Sequence, residues 1–204
     1  MKLYFSPGAC SLSPHIVLHE LGLPVETIAV DLRSKVMAGG GDFRAVNPKG
    51  YVPVLQLDDG AVLTEGPAIV QYLADRKPEA GLAPANGSFE RYRLQEWLNF
   101  ISTELHKQFS PLFNPDSSDA VKAAQRKRLA ERFDFLAQTL GSQDWLLAGG
   151  YSVADAYLFT VLTWTAYVGF DLAPWPALQA YMARVQARPA VAATLAAERQ
   201  AKSA

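Results

Sequence analysis

The chain of 204 residues contains one cysteine, Cys10, so it cannot form a disulfide within itself. It also lacks a charge excess of either sign, with 19 Lys and Arg against 20 Asp and Glu and a formal net charge of -1. A nucleic-acid binder normally carries a basic excess on one face, so that class of partner is disfavoured. The basic run Arg126-Lys127-Arg128 lies among other polar residues and reads as a solvated helix face. Long hydrophobic runs are missing too. The most apolar stretch, residues 156–170, is bracketed by Asp155 and Asp171 and falls short of the ~20 residues that span a bilayer. It therefore reads as a buried helix. The opening segment breaks at Pro7-Gly8 before the apolar core of a signal peptide can form. Together these absences predict a cytoplasmic protein with neither membrane nor nucleic-acid partners.

What is present divides into two halves. The first 75 or so residues mix strand and helix signals. Residues 2–5 and 25–30 read as strands, with a helix over 11–21 between them that stops at Gly22 and Pro24. Residues 54–57 and 61–63 flank Asp58-Asp59-Gly60, a hairpin turn. Glu65-Gly66-Pro67 opens a helix to about Lys77, with proline suited to the first helical position because its missing N–H is not needed there. The order is βαβ, then ββα, which predicts a compact α/β sandwich. Residues 77–87 hold Pro78, Gly81, Pro84 and Gly87, so regular structure should lapse there. Beyond them, 88–109, 120–140, 153–170 and 178–187 read as helices. Ser152-Val-Ala-Asp155 is a capping box with Asp in the usual Glu position, which makes that acid structural rather than catalytic. The polar, Ala-rich tail from Ala192 is expected to fray.

Cys10 falls between the first strand and the first helix, in Pro-Gly-Ala-Cys-Ser. The positive end of a helix dipole stabilises a thiolate there, although a buried structural cysteine is the other common fate of a lone thiol. Cys10-Ser-Leu-Ser13 is similar to a thioredoxin motif whose second cysteine has become serine, so a disulfide at Cys10 needs an external partner. Val52-Pro53 precedes the third strand. A cis bond there would present the Val52 backbone to an extended peptide, whereas a trans bond would make it an ordinary loop. At Glu65-Gly66, helix N–H groups suit a carboxylate and the Glu65 side chain suits an ammonium, the two ends of an α-amino acid. Asn99, Thr103 and His106 recur at i, i+4, i+7 and form a polar stripe, with Lys107 beside it. His15 and His19 share the spacing of a zinc pair, but no third ligand is evident and helix packing is favoured; no metal is expected. Phe113, Tyr157, Trp164 and Tyr167 are core by default and line an apolar pocket only if they face a cleft.

Five blocks carry a family resemblance. They are Ser6-Pro-Gly-Ala-Cys-Ser-Leu-Ser-Pro-His15, Asn47-Pro-Lys-Gly-Tyr-Val-Pro-Val-Leu55, Leu63-Thr-Glu-Gly-Pro-Ala-Ile69, Glu104-Leu-His-Lys107 and Ser152-Val-Ala-Asp155. In this order, over nearly the whole chain, the sequence resembles the cytosolic glutathione S-transferases, specifically the bacterial beta class. The resemblance implies an α/β thioredoxin-like N-terminal domain over 1–80, a linker over 81–87 and an all-α C-terminal domain over 88–204. It also implies a homodimer using glutathione as co-substrate. Cys10 and Ser11 would face the glutathione sulfur, Val52 before cis-Pro53 would pair with the tripeptide backbone, and Glu65 with Gly66 would hold the γ-glutamyl end. Lys35 would reach the glycyl carboxylate. His106 and Lys107 would lie near the sulfur, with Thr103 close by, and Asn99 would reach the partner subunit's ligand.

The family usually has Ser where this chain has Gly66, so one hydroxyl donor is lost, worth about 0.5–1.5 kcal/mol. The Glu-Gly-Pro form and Ser110-Pro-Leu-Phe-Asn-Pro115 also resemble beta-class members associated with biphenyl breakdown, which suggests chlorinated aromatic electrophiles. The implied activity is conjugation of glutathione to hydrophobic electrophiles in an interdomain cleft, with thiol transfer or reductive dehalogenation through Cys10 as a second route. The alternative is a non-enzymatic relative that keeps the fold to bind a ligand or a protein.

Overall fold

The structure, a computed structural model, describes residues 1–203. Its contacts fall into two compact units, one built from residues 1–81 together with the segment from 187 onward, the other from 82–186.

In the first unit, β1 (Lys2–Phe5), α1 (Leu12–Leu21) and β2 (Glu26–Ala29) form a βαβ unit, and β1 and β2 pair in parallel. β3 (Val54–Gln56) and β4 (Val62–Thr64) follow as an antiparallel hairpin around the Asp58-Asp59-Gly60 turn, and α2 (Gly66–Asp75) closes the ββα half. The sheet order is β2-β1-β3-β4, with β1 antiparallel to β3. Side chains alternate across β1 as a pleated strand requires. Phe5 meets the His15 ring of α1 edge-on at 5.2 Å. Tyr4 joins Val30, Phe43, Val52 and Val54 in a separate buried cluster. α1 ends where Gly22 takes the left-handed conformation (φ 61°), and its N–H bonds back to the His19 and Leu18 carbonyls.

In the second unit, α3 (Phe89–Phe100) starts at Ser88, whose hydroxyl accepts the Arg91 N–H at 3.2 Å. It runs through a π-helical segment (Ile101–His106) into α4 (Lys107–Phe113), with Pro111 inside the last turns. α5 (Asp119–Ser142), α6 (Val153–Tyr167) and α7 (Pro176–Gln186) complete it. α6 is buried on nearly every face over its first ten residues, as its largely apolar sequence predicts. The capping box is formed, and Asp155 does more than cap. Its carboxylate accepts from Ser152 N–H and hydroxyl, from Leu146 N–H at 3.0 Å and from the Tyr181 hydroxyl at 3.1 Å. Burial pushes the Asp155 carboxyl up from its ordinary value, while those donors pull it back toward the ionised form. Asp155 is a structural acid. The basic run divides: Lys127 and Arg128 are exposed, but Arg126 donates to the Val168 carbonyl at 2.5 Å.

The carboxyl end departs from expectation. Instead of fraying after Ala192, the chain forms α8 (Pro189–Ser203), and α8 packs on α1. Val191, Thr194 and Glu198 recur at i, i+3, i+7 and are buried there, while Arg188 makes a two-pronged ion pair with Glu20 at 2.6 and 2.9 Å. The helical segment expected over 88–204 therefore loses its last helix to the first unit. Among the described residues no helix is long and apolar enough to cross a membrane.

Candidate active site

The turn between β1 and α1 is built by Ser11. Its hydroxyl accepts the Ser6 N–H at 3.0 Å and donates to the Ser6 carbonyl at 3.2 Å, and the residue is wholly buried. Ser11 thus fixes the loop. From that loop the half-buried Cys10 thiol donates to the Val52 carbonyl at 3.1 Å. The loop is also held from α8, because the Gly8 N–H donates to Glu198 Oε2 at 2.8 Å. The other Glu198 oxygen accepts from His15 Nδ1 at 2.9 Å, and His19 Nδ1 meets the Thr194 hydroxyl at 2.6 Å. The two histidines are packing residues on α1, and among the described residues no cluster of three His, Cys, Asp or Glu could hold a metal.

Val52-Pro53 is cis, and both residues are buried. The loop before them is pinned by Asn47, which accepts the Lys49 N–H at 3.2 Å and donates to the Tyr51 carbonyl at 2.8 Å. Lys35 reaches into the same loop, donating to the Gly50 carbonyl at 3.0 Å with its ammonium 5.8 Å from the Tyr51 ring centre. At the start of α2, Glu65 adopts φ 67° without being glycine. A conformation of that kind costs about 1–3 kcal/mol and concentrates at ligand sites. Its carboxylate takes the Lys49 ammonium at 2.5 Å, which also donates to the Thr64 hydroxyl at 3.1 Å. Gly66 has no steric need to be glycine, since a Cβ there would meet only Pro53 Cγ at 3.8 Å.

The helical unit gathers a second group. His106 Nδ1 bonds the Tyr157 hydroxyl at 2.7 Å, its ring lies 4.7 Å from Trp164, and Phe113 stands edge-on to Trp164 at 5.8 Å. Tyr167 is 64% exposed at the end of α6. Asn99, Thr103 and Lys107 are exposed, and the Thr103 hydroxyl donates to the Asn99 carbonyl at 3.0 Å. The expected single stripe is split here. The π-helical segment widens the helix, with the Lys107 N–H bonding to the Ser102 carbonyl, and His106 turns onto Tyr157 and Trp164 while Asn99 and Thr103 stay in water.

Two family models match, "Glutathione S-transferase, N-terminal domain" over residues 8–76 and "Glutathione S-transferase, C-terminal domain" over 100–189. The chain belongs to the glutathione S-transferase family. It is 46% identical over 198 residues to Glutathione S-transferase GstA of Escherichia coli O157:H7, covering 97% of this chain and 98% of that protein. Among solved structures it is similar to BphK, a bacterial GST in a ternary complex, at 63% identity and TM-score 0.96, over 97% and 99% of the two chains. A bacterial beta class enzyme of Sphingomonas chungbukensis matches at 48% identity and TM-score 0.94, over 97% and 98%. This transferase is thus of the bacterial beta-class type, with the thioredoxin-like and helical halves of that fold.

Three structural features of the transferase have no mark in its sequence. Lys49 was visible only as part of an Asn-Pro-Lys-Gly turn, and nothing local says that its ammonium reaches a residue 16 positions on. Phe109, fully buried 5.7 Å from Trp164, was counted simply as helix. The π-helical segment has no sequence mark, since neither Gly nor Pro lies within residues 101–106.

Proposed function

We propose that this transferase binds glutathione extended along Val52, with its thiol beside Cys10, and transfers it to hydrophobic electrophiles. The observation that carries this reading is the 3.1 Å contact from the Cys10 thiol to the Val52 carbonyl. It supports the placement of a thiol-bearing peptide, because the residue whose backbone would pair with the tripeptide is the one the protein's own sulfur touches. Lys35 takes the glycyl carboxylate, while Glu65 and the Gly66 N–H take the γ-glutamyl end. His106, Lys107 and Thr103 serve the sulfur. Asn99 reaches the ligand of a partner subunit in a cytoplasmic homodimer. Phe113, Tyr157, Trp164 and Tyr167 offer apolar surface to the electrophile.

In conjugation, the glutathione thiolate attacks an electrophilic carbon, a C–S bond forms and the leaving group departs with the electron pair. In the second route the Cys10 thiolate attacks the sulfur of a glutathione conjugate. The C–S bond breaks, the carbon takes a proton, and Cys10 is left as a mixed disulfide with glutathione. A second glutathione thiolate then attacks that disulfide, giving glutathione disulfide and restoring Cys10. Chlorinated aromatic metabolites are the proposed substrates of this reductive route, on the strength of the Glu-Gly-Pro form at 65–67 and the Ser110-Pro-Leu-Phe-Asn-Pro115 run. Cys10→Ala tests the division: conjugation to a simple electrophile is retained, and thiol transfer or dehalogenation is lost. Loss of both, or retention of both, would overturn it.

A further inference from the structure

We infer that Lys49 belongs to the γ-glutamyl end of the site, where its ammonium receives the α-carboxylate of glutathione. The inference rests on the glutathione reading above and concerns a residue to which that reading gives no role. Lys49 is not an idle surface lysine. Its backbone is fixed through Asn47, which is 3% exposed, and its ammonium is spread across the end of β4 onto Thr64 and Glu65. An ammonium carries three N–H donors, and these two contacts use two. The pair is open to an incoming ligand, with side-chain exposures of 47% for Lys49 and 72% for Glu65.

Charge matching says what the third donor is for. At neutral pH glutathione carries two carboxylates and one ammonium, a net charge of -1. Lys107 is set against the thiolate at the sulfur; at the two ends of the tripeptide, with Lys35 for the glycyl carboxylate and Glu65 for the ammonium, the protein offers one charge of each sign, and the α-carboxylate meets only the Gly66 N–H. Gly66 supplies no hydroxyl. Adding Lys49 gives two positive charges and one negative, the complement of the ligand. The ligand's ammonium then takes the Glu65 oxygen not bonded to Lys49, and the carboxylate on the same carbon lies against Lys49. In the absence of ligand, Lys49 is the local counter-ion of Glu65, through its ammonium contact with one carboxylate oxygen at 2.5 Å.

The test is titration calorimetry on the full chain and its Lys49→Met, Lys49→Arg and Glu65→Gln variants. The ligands are glutathione, the analogue lacking the α-carboxylate (4-aminobutyryl-Cys-Gly) and the analogue lacking the amino group (glutaryl-Cys-Gly). Lys49→Met should weaken glutathione by about threefold or more. The same variant should leave the des-carboxy analogue unchanged, and Lys49→Arg should restore most of the affinity. Equal loss for both ligands would make Lys49 a mere tether of Glu65, and tighter glutathione binding would make it only a competitor. Either result, or no change, overturns the proposal. The underlying reading is checked by Glu65→Gln, expected to weaken glutathione by about tenfold while sparing the des-amino analogue. If Glu65→Gln changes nothing, the γ-glutamyl assignment itself fails. If it does weaken binding while Lys49→Met has no effect, only the role of Lys49 falls.

Discussion

Replacing Glu198 should damage the first unit more than any surface charge change. The carboxylate is 4% exposed and holds two groups at once, His15 Nδ1 at 2.9 Å and the Gly8 N–H at 2.8 Å. Glu198→Ala removes that acceptor from both groups; the buried His15 ring loses about 1–3 kcal/mol and the half-buried Gly8 N–H about 0.5–1.5 kcal/mol, so about 2–4 kcal/mol is expected in sum. A domain of this kind has about 5–15 kcal/mol in total, so the loss is a large share of it. Glu198→Gln keeps one carbonyl acceptor but turns an NH2 toward the other donor, and should fall about midway. Urea unfolding followed by far-UV circular dichroism gives the midpoint shifts. Tryptophan fluorescence is the wrong probe, because Trp97, Trp145, Trp164 and Trp175 all lie in the helical unit. Hydrogen exchange at Gly8 supplies the local readout and should speed up in both variants. A Glu198→Ala midpoint indistinguishable from that of the parent protein, with Gly8 exchange unchanged, would refute the reasoning.

Gly66→Ser should tighten glutathione binding about two- to tenfold, since the new hydroxyl adds one hydrogen bond. The added Cβ meets nothing nearer than Pro53 Cγ at 3.8 Å, so calorimetry showing weaker binding would count against the site. Asp155→Ala strands the Leu146 and Ser152 N–H groups and leaves the Tyr181 hydroxyl only the backbone carbonyl of residue 155, at 3.2 Å, and should cost about 3 kcal/mol, read by tryptophan fluorescence in urea. Stability should also depend on His19. Burial first, then the neighbouring His15 ring, hold its imidazole below the ordinary 6.5, against the opposing pull of the Ala190 carbonyl and Glu198. The unfolded chain therefore takes up the proton first, and stability declines as pH falls from 6.5 toward the depressed value. His19→Gln should flatten that part of the pH profile of urea midpoints.

Legibility tracked the range of the interactions. Local rules located β1, α1, the β3–β4 hairpin, α2 and the capping box, because each is decided within a few residues: Gly22 stops α1, Asp58-Asp59-Gly60 turns the hairpin, and Ser152 with Asp155 caps α6. The parts that depend on distant partners were not legible. Ala-rich α8 has weak amphipathic marks of its own and is held by Glu20, His15 and Gly8, which lie some 170–190 residues away. The Ser11 hydroxyl bonds to both the N–H and the carbonyl of Ser6, a turn contact that no sequence pattern announces. Cys10 was placed correctly at the mouth of α1, but its contact with Val52 spans 42 residues and no periodicity reveals it.

The return of α8 to the first unit makes that unit discontinuous in the chain. Residues 82–186 are interposed between its body and its last helix. During synthesis from the amino end, the sheet and its first two helices leave the ribosome long before the segment that completes them. Until residue 198 has been made, Gly8 and His15 have no Glu198 to bind, and a fragment cut at the proline- and glycine-rich boundary near residue 81 would never acquire one.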